Sequence, residues 1–197
     1  MTGSWSPTTG RPISRTCYFC VPYEQLAQDP VSYQGLYEAV ANLDLLPHPG
    51  GGLIPLAISR LDPAGLARTV RKLGGAVAAT AAMLLDGPVT ITGPDLPDLP
   101  IRLRFFDAVA ALLPYGYRPY LTTATWSDTG ASDRFRLVFA NRAGNEAARV
   151  RWGAQPRPPA SGLARTYLGY LERALGPADG DDDQLARPTA MTISWRG

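Results

Sequence analysis

The sequence predicts a single α/β or α+β domain: a mixed sheet, antiparallel in its C-terminal half, with about four helices and five or six strands. Three observations lead there. Apolar residues recur at helical spacing in four segments, each opened by a capping residue or closed by glycine or proline. Short β-prone runs alternate with the first three of those segments. After Tyr120 the period changes to two, in short runs joined by about eight residues, the spacing of an antiparallel meander.

Taken in order, residues 1–15 are rich in Ser, Thr, Pro and Gly and read as a flexible lead-in. Residues 16–175 read as one globular domain, and residues 176–197 as an acidic, partly flexible tail. Thr16–Val21 is a β-prone run ended by Pro22. Asp29-Pro30 sets an N-cap before a first-turn proline, and Tyr33, Leu36, Tyr37 and Val40 then trace a buried helical stripe. Leu53–Ser59 reads as a strand that Pro55 moves toward an edge.

Asp62-Pro63 repeats the opener, and Leu66, Val70, Leu73, Val77 and Leu84 mark a helix running to Asp86, stopped by Gly87-Pro88. Gly74-Gly75 in its middle predicts a kink or a break, or else close packing against another backbone. Val89–Thr92 is a short strand, and Asp98 caps a helix through Arg102–Leu113 that buries Phe105, Phe106, Val109 and Leu112. Tyr120–Trp126, Arg134–Ala140 and Arg149–Trp152 are the strands of the meander. Pro156–Pro159 is a rigid spacer before a last helix marked by Leu163, Tyr167, Leu168, Leu171 and Leu175. Met191–Trp195 is a final β-prone run that docks on an edge or frays.

At 197 residues and 45% apolar content the chain is long enough to bury a core without staples. Glycine and proline make up about a fifth of it, which predicts many tight connections. The net charge of +2 excludes global polyelectrolyte behaviour. No apolar stretch reaches the length of a membrane span, and Met1–Arg15 has no apolar signal core, so a cytoplasmic protein without a membrane partner is expected.

Reactive groups are few. Cys17 and Cys20 form a C-x-x-C inside the first β-prone run, where a redox pair would need the first thiol at a helix N-terminus. They read instead as two reduced, packed thiols, and a Cys-dependent enzyme is the remote alternative. His48, the one histidine, lies in a Pro-His-Pro loop and leaves a zinc set short of ligands. Gly50-Gly51-Gly52 is followed by an apolar run, not by the helix that a phosphate cradle requires. Asp107 sits among apolar residues, with Arg102 and Arg104 as its expected ion-pair partners, and Asp181–Asp183 reads as a solvated tail. No catalytic residue, cofactor or metal is read from the chain.

The basic residues stand out. Lys72 is the single lysine beside eighteen arginines, which codon bias explains as readily as bidentate anion recognition. Residues 102–157 hold nine arginines against four acids. Alternation puts Arg134 and Arg136 on one face of their strand, and Arg149 and Arg151 on one face of theirs. If those strands pair, the four guanidiniums share a sheet surface. Such a surface is solvated with internal ion pairs, or it meets a protein partner, or it meets nucleic acid or another polyanion.

Residues 84–152, about a third of the chain, contain Leu84–Thr92, Arg104–Trp126 and Phe135–Ala140 as one string. It resembles modules of actinobacterial GTPase-associated proteins, including those linked to von Willebrand A and MoxR-type ATPase partners. Such modules show a strand, a helix ending Leu-Pro-x-x-Leu/Tyr-Arg, and a strand ending Thr-x-x-Trp/Tyr. Here those positions read Leu113-Pro114-Tyr115-Gly116-Tyr117-Arg118 and Thr123-Ala124-Thr125-Trp126. The resemblance implies an adaptor in an NTPase-dependent conflict or immunity system, acting with a separately encoded protein, and it brings no catalytic residues. Polyanion binding through Arg134, Arg136, Arg149 and Arg151 is the alternative function.

Overall fold

A side-chain oxygen caps the N-terminus of every α-helix among the described residues. The computed structural model describes residues 20, 31–41, 43, 55–128, 130–132, 134–144 and 147–176. Helix α1 (Tyr33–Ala41) opens on the Ser32 hydroxyl, which accepts the Gly35 N–H at 2.8 Å. Helix α2 (Pro63–Asp86) opens on Asp62, which accepts from Ala64 at 3.0 Å, and α3 (Leu99–Leu112) on Asp98, which accepts from Ile101 at 3.1 Å. Helix α4 (Gly162–Leu175) opens on Ser161, which accepts from Ala164 at 3.0 Å. Each cap satisfies one of the N–H groups that a helix leaves orphaned. A 3-10 segment (Tyr115–Tyr120) comes directly after α3.

The four strands are β1 (Val89–Thr92), β2 (Thr123–Ser127), β3 (Leu137–Ala140) and β4 (Ala148–Arg151). They form one sheet in the order β2-β3-β1-β4, and every pairing is parallel. The expected antiparallel meander is therefore wrong: the fold is α/β with a parallel sheet. The reason is geometric. A four-residue strand is only about 13 Å long, whereas the connections 128–136 and 141–147, nine and seven residues, extend to roughly 30 and 23 Å. Each has chain enough to return to the starting end of the sheet without a helix. One signal did favour parallel pairing: Leu137–Ala140 is an unbroken apolar run buried at all four positions, as strands covered on both faces are.

Other boundaries shift for local reasons. Helix α3 begins a turn earlier than its apolar stripe, because Asp98 and Pro100 start it. Strand β3 begins only at Leu137, because Ser132 and Phe135 exchange two backbone hydrogen bonds in a tight turn before it. Residues 55–59 form no strand, and the contact there is a single antiparallel bridge between Arg60 and Val31. Tyr37 and Leu163 leave their predicted stripes and stand 42% and 61% exposed, while Ala164 is the fully buried residue at the start of α4. The runs Thr16–Val21 (apart from Cys20) and Met191–Trp195 lie outside the described residues.

The helices pack on one face of the sheet. Val89, Ile91, Leu137, Phe139 and Val150 point into a core shared with Val77, Leu84, Phe105, Phe106 and Leu171. Phe105, Phe139 and Trp152 meet pairwise at centroid separations of 5.5 to 5.9 Å. Edge contacts of this kind add about 0.5–1.5 kcal/mol each beyond the area they bury. The opposite face carries a smaller cluster of Ala131, Val138 and Ala140, roofed by the returning connections. There Gly130 (φ +78°) lies where a Cβ would stand 2.8 Å from the Gly144 nitrogen and 2.9 Å from the Arg142 carbonyl.

Gly74 is the kink expected in α2, with φ +46° and ψ −126°. Nothing lies within 4 Å of a Cβ built on Gly74 or Gly75, so the backbone bend, and not tight packing, is the reason for the pair. Chemical denaturation separates these roles. Gly130→Ala should lose at least about 2 kcal/mol of stability from strain and collision. Gly75→Ala, which meets open space in an ordinary helical conformation, should gain up to about 1 kcal/mol.

Candidate functional site

Strand β1 lies between β3 and β4, so the strands bearing the four candidate arginines do not pair. Arg134 sits exposed in the turn before β3, its guanidinium 5.8 Å from the Phe135 ring centre. Arg136 reaches the other way, donating to the Leu84 carbonyl at 2.7 Å, near the C-terminus of α2. A cation there completes the carbonyls that a helix end leaves open. Arg149 and Arg151 do share a face, on β4, and both are exposed. The structure thus brings together two of the four residues.

It adds a third. Arg157 joins Arg149 and Arg151 around a hollow of about 400 Å³, with Ala154, Gln155 and Pro156 completing the walls. Sequence reading missed Arg157 because Pro156–Pro159 looks like a spacer. Those prolines are the signal that was available: they set the direction of a short segment, and Arg157 lies within it. Arg149 is held from behind by its Nε, which donates to the hydroxyl of Thr92 at 2.8 Å. Thr92 is fully buried on β1.

Further arginines serve the backbone. Arg102 donates to the carbonyls of Pro97 at 2.6 Å and Thr125 at 2.9 Å, with its guanidinium 5.6 Å from the Trp126 ring centre. Arg118 donates to Leu113 at 3.0 Å and Ala111 at 2.9 Å, closing the C-terminus of α3. That bond pair pins the 3-10 segment, which turns Tyr115 and Tyr120 outward at 80% and 70% exposure; Tyr117 is exposed as well. Arg118 also sits near Tyr167, whose hydroxyl donates to the Leu112 carbonyl. Burial raises that phenol's pKa, and the Arg118 charge opposes the rise.

Asp107 pairs with neither Arg102 nor Arg104 among the described residues. It accepts the backbone N–H of Tyr33 at 2.6 Å and of Gln34 at 3.4 Å, so a carboxylate on α3 caps the first turn of α1. Burial pushes its pKa up to about 6, and the two N–H bonds pull the other way. Beside it, Asp62, Arg68, Lys72 and Arg104 line a groove of about 370 Å³ between α1, α2 and α3. Arg68 and Asp62 form an exposed ion pair at 3.5 Å, which contributes little.

Cys20 is a free, exposed thiol and not the packed one expected of it. Cys17, His48, Gly50–Gly52 and Asp181–Asp183 lie outside the described residues. Among the described residues no three His, Cys, Asp or Glu side chains converge as a metal site, and no helix is long and apolar enough to cross a membrane. Comparison with protein-family models, curated proteins and solved structures finds no match.

The Asp107 cap has a pH signature. Its folded pKa stands above the ordinary carboxyl value of 3.8, so the native state holds the proton more tightly than the unfolded chain. The associated stability is fully present below about pH 4 and is lost as pH rises through about 6, a change of at most about 3 kcal/mol. Asp107→Asn keeps an oxygen for the Tyr33 N–H and does not titrate. Its stability relative to wild type, from denaturant melts, should therefore be greatest at pH 7 and shrink toward about pH 4.5. Asp107→Ala removes the cap and should cost about 1–2 kcal/mol relative to Asp107→Asn.

Proposed function

We propose that this chain is a non-enzymatic interaction module. It works in the cytoplasm by docking a separately encoded protein, an NTPase of a bacterial multi-protein conflict or immunity system. The observation that carries the docking part is the exposed row of Tyr115, Tyr117 and Tyr120 on one pinned 3-10 segment. Tyrosine is enriched at interfaces because it offers a large, stiff, half-polar surface at small entropic cost. The Arg118 bonds to Ala111 and Leu113 fix the segment beforehand, which lowers the ordering cost of association.

The partner class comes from the resemblance. Leu113–Arg118, the stretch that matches the GTPase-associated modules, is the stretch that presents Tyr115 and Tyr117. Polyanion binding across a four-arginine sheet face has less support, since Arg134 and Arg136 do not line the hollow formed by Arg149, Arg151 and Arg157.

The test is affinity capture from the native cells, with wild type and Tyr115→Ser/Tyr120→Ser as baits. Both side chains are largely exposed, so the variant should keep its melting temperature within a few degrees. Wild type should retain an NTPase that the variant loses at least tenfold. Equal recovery by both baits, or no NTPase with either, would sink the proposal.

A further inference from the structure

Edge strand β4 carries Arg149 and Arg151 two residues apart, both facing away from the helices. The strand ends in a turn closed by the Ala154 N–H on the Arg151 carbonyl at 3.2 Å. The chain doubles back through Gln155 and Pro156, and Arg157 comes to the same hollow. We propose that this hollow binds a phosphate-bearing small ligand through the guanidiniums of Arg149, Arg151 and Arg157.

Charge is the first argument. Three permanent cations line one space of about 400 Å³, and no carboxylate lines it with them. None of the three forms an ion pair among the described residues, and Asp86, which lines an adjoining space with Arg149 and Arg157, accepts from the backbone N–H and hydroxyl of Ser161. Like charges gathered this way repel, and a multiply charged anion between them turns that repulsion into attraction.

Preparation is the second. The Thr92 hydroxyl engages the Nε of Arg149, which leaves both terminal nitrogens of that guanidinium for a ligand. Thr92 is fully buried, so the anchor is part of the sheet and not of a mobile surface. The contrast with Arg102, Arg118 and Arg136 is direct, because their donors are engaged by backbone carbonyls.

The third is the fit of ligand class. Three planar forks offer more donors than the two oxygens of a carboxylate accept, and they suit the several oxygens of a phosphate. No aromatic side chain lines the hollow, so single-stranded nucleic acid finds no stacking platform.

Titration calorimetry of the full chain with sodium pyrophosphate, at low ionic strength, tests this. One saturable site is expected, weakened at least tenfold in Arg151→Gln and in Arg157→Gln and unchanged in Arg134→Gln. All three side chains are exposed, and matching circular dichroism confirms that the variants fold. Parallel titrations with inorganic phosphate and with a nucleoside triphosphate separate the sources. Equal affinity for triphosphate and pyrophosphate means that the phosphates alone are read; tighter triphosphate binding means that the attached body contributes. No binding of any of the three, or binding indifferent to Arg151→Gln and Arg157→Gln, overturns the proposal. So does binding only to an oligonucleotide, with affinity that grows with its length. Partner capture through Tyr115 and Tyr120 is independent of every one of these outcomes.

Discussion

Strand β1 is the constraint on which the rest of the structure depends. Val89–Thr92 is buried at all four positions, so both of its edges must be paired and both of its faces covered. Strands β3 and β4 take the edges, and helices cover Val89 and Ile91. The other face holds Thr90 and Thr92, whose buried hydroxyls each need a partner. Thr90 accepts the Ala131 N–H at 2.8 Å from the returning connection, and Thr92 accepts the Nε of Arg149. Loop and arginine thus do on this face what helices do on the other.

That placement of β1 decides what becomes of the basic residues. Because it separates β3 from β4, alternation along each strand no longer adds up to one charged sheet surface. Arg136 turns to the end of α2, and Arg134 stays on a turn beside Phe135. Arg149 and Arg151, on the edge, take their third neighbour from the next segment of chain. A turn after β4 and the prolines flanking Arg157 bring that side chain to them.

Features governed by near neighbours were legible in the sequence. Asp62 and Asp98 cap the helices expected of them, Gly74 bends α2, and Val89–Thr92 forms a strand. Trp152 faces the core while Arg151 faces out, as alternation required. Features set by distant contacts were not. Strand direction depended on whether short connections can return along still shorter strands, and its one local signal, the apolar run Leu137–Ala140, was outweighed by the alternation that Arg134 and Arg136 lend the stretch before it. Asp107 had arginines nearby on its own helix, yet its carboxylate binds amides 73 and 74 residues away. Arg136 fits the alternation of β3 by spacing, but it precedes the strand and bonds a carbonyl 52 residues distant.

The choice of arginine over lysine also acquires a physical sense. Arg102 and Arg118 each donate from two nitrogens to two different carbonyls, and Arg136 reaches a helix end. A lysine ammonium is a single point and spans such pairs poorly. Codon bias explains why arginine is abundant, but it does not explain why these side chains close helix ends and brace a strand. Once the backbone has taken those donors, the guanidiniums left over are a selected subset and no longer a general basic character. Arg149, Arg151 and Arg157 belong to that subset, and they differ from the solvated Arg134 in sharing one concave space. A net charge of +2 hides this entirely, because what matters for recognition is which donors the fold has left unengaged and whether they converge.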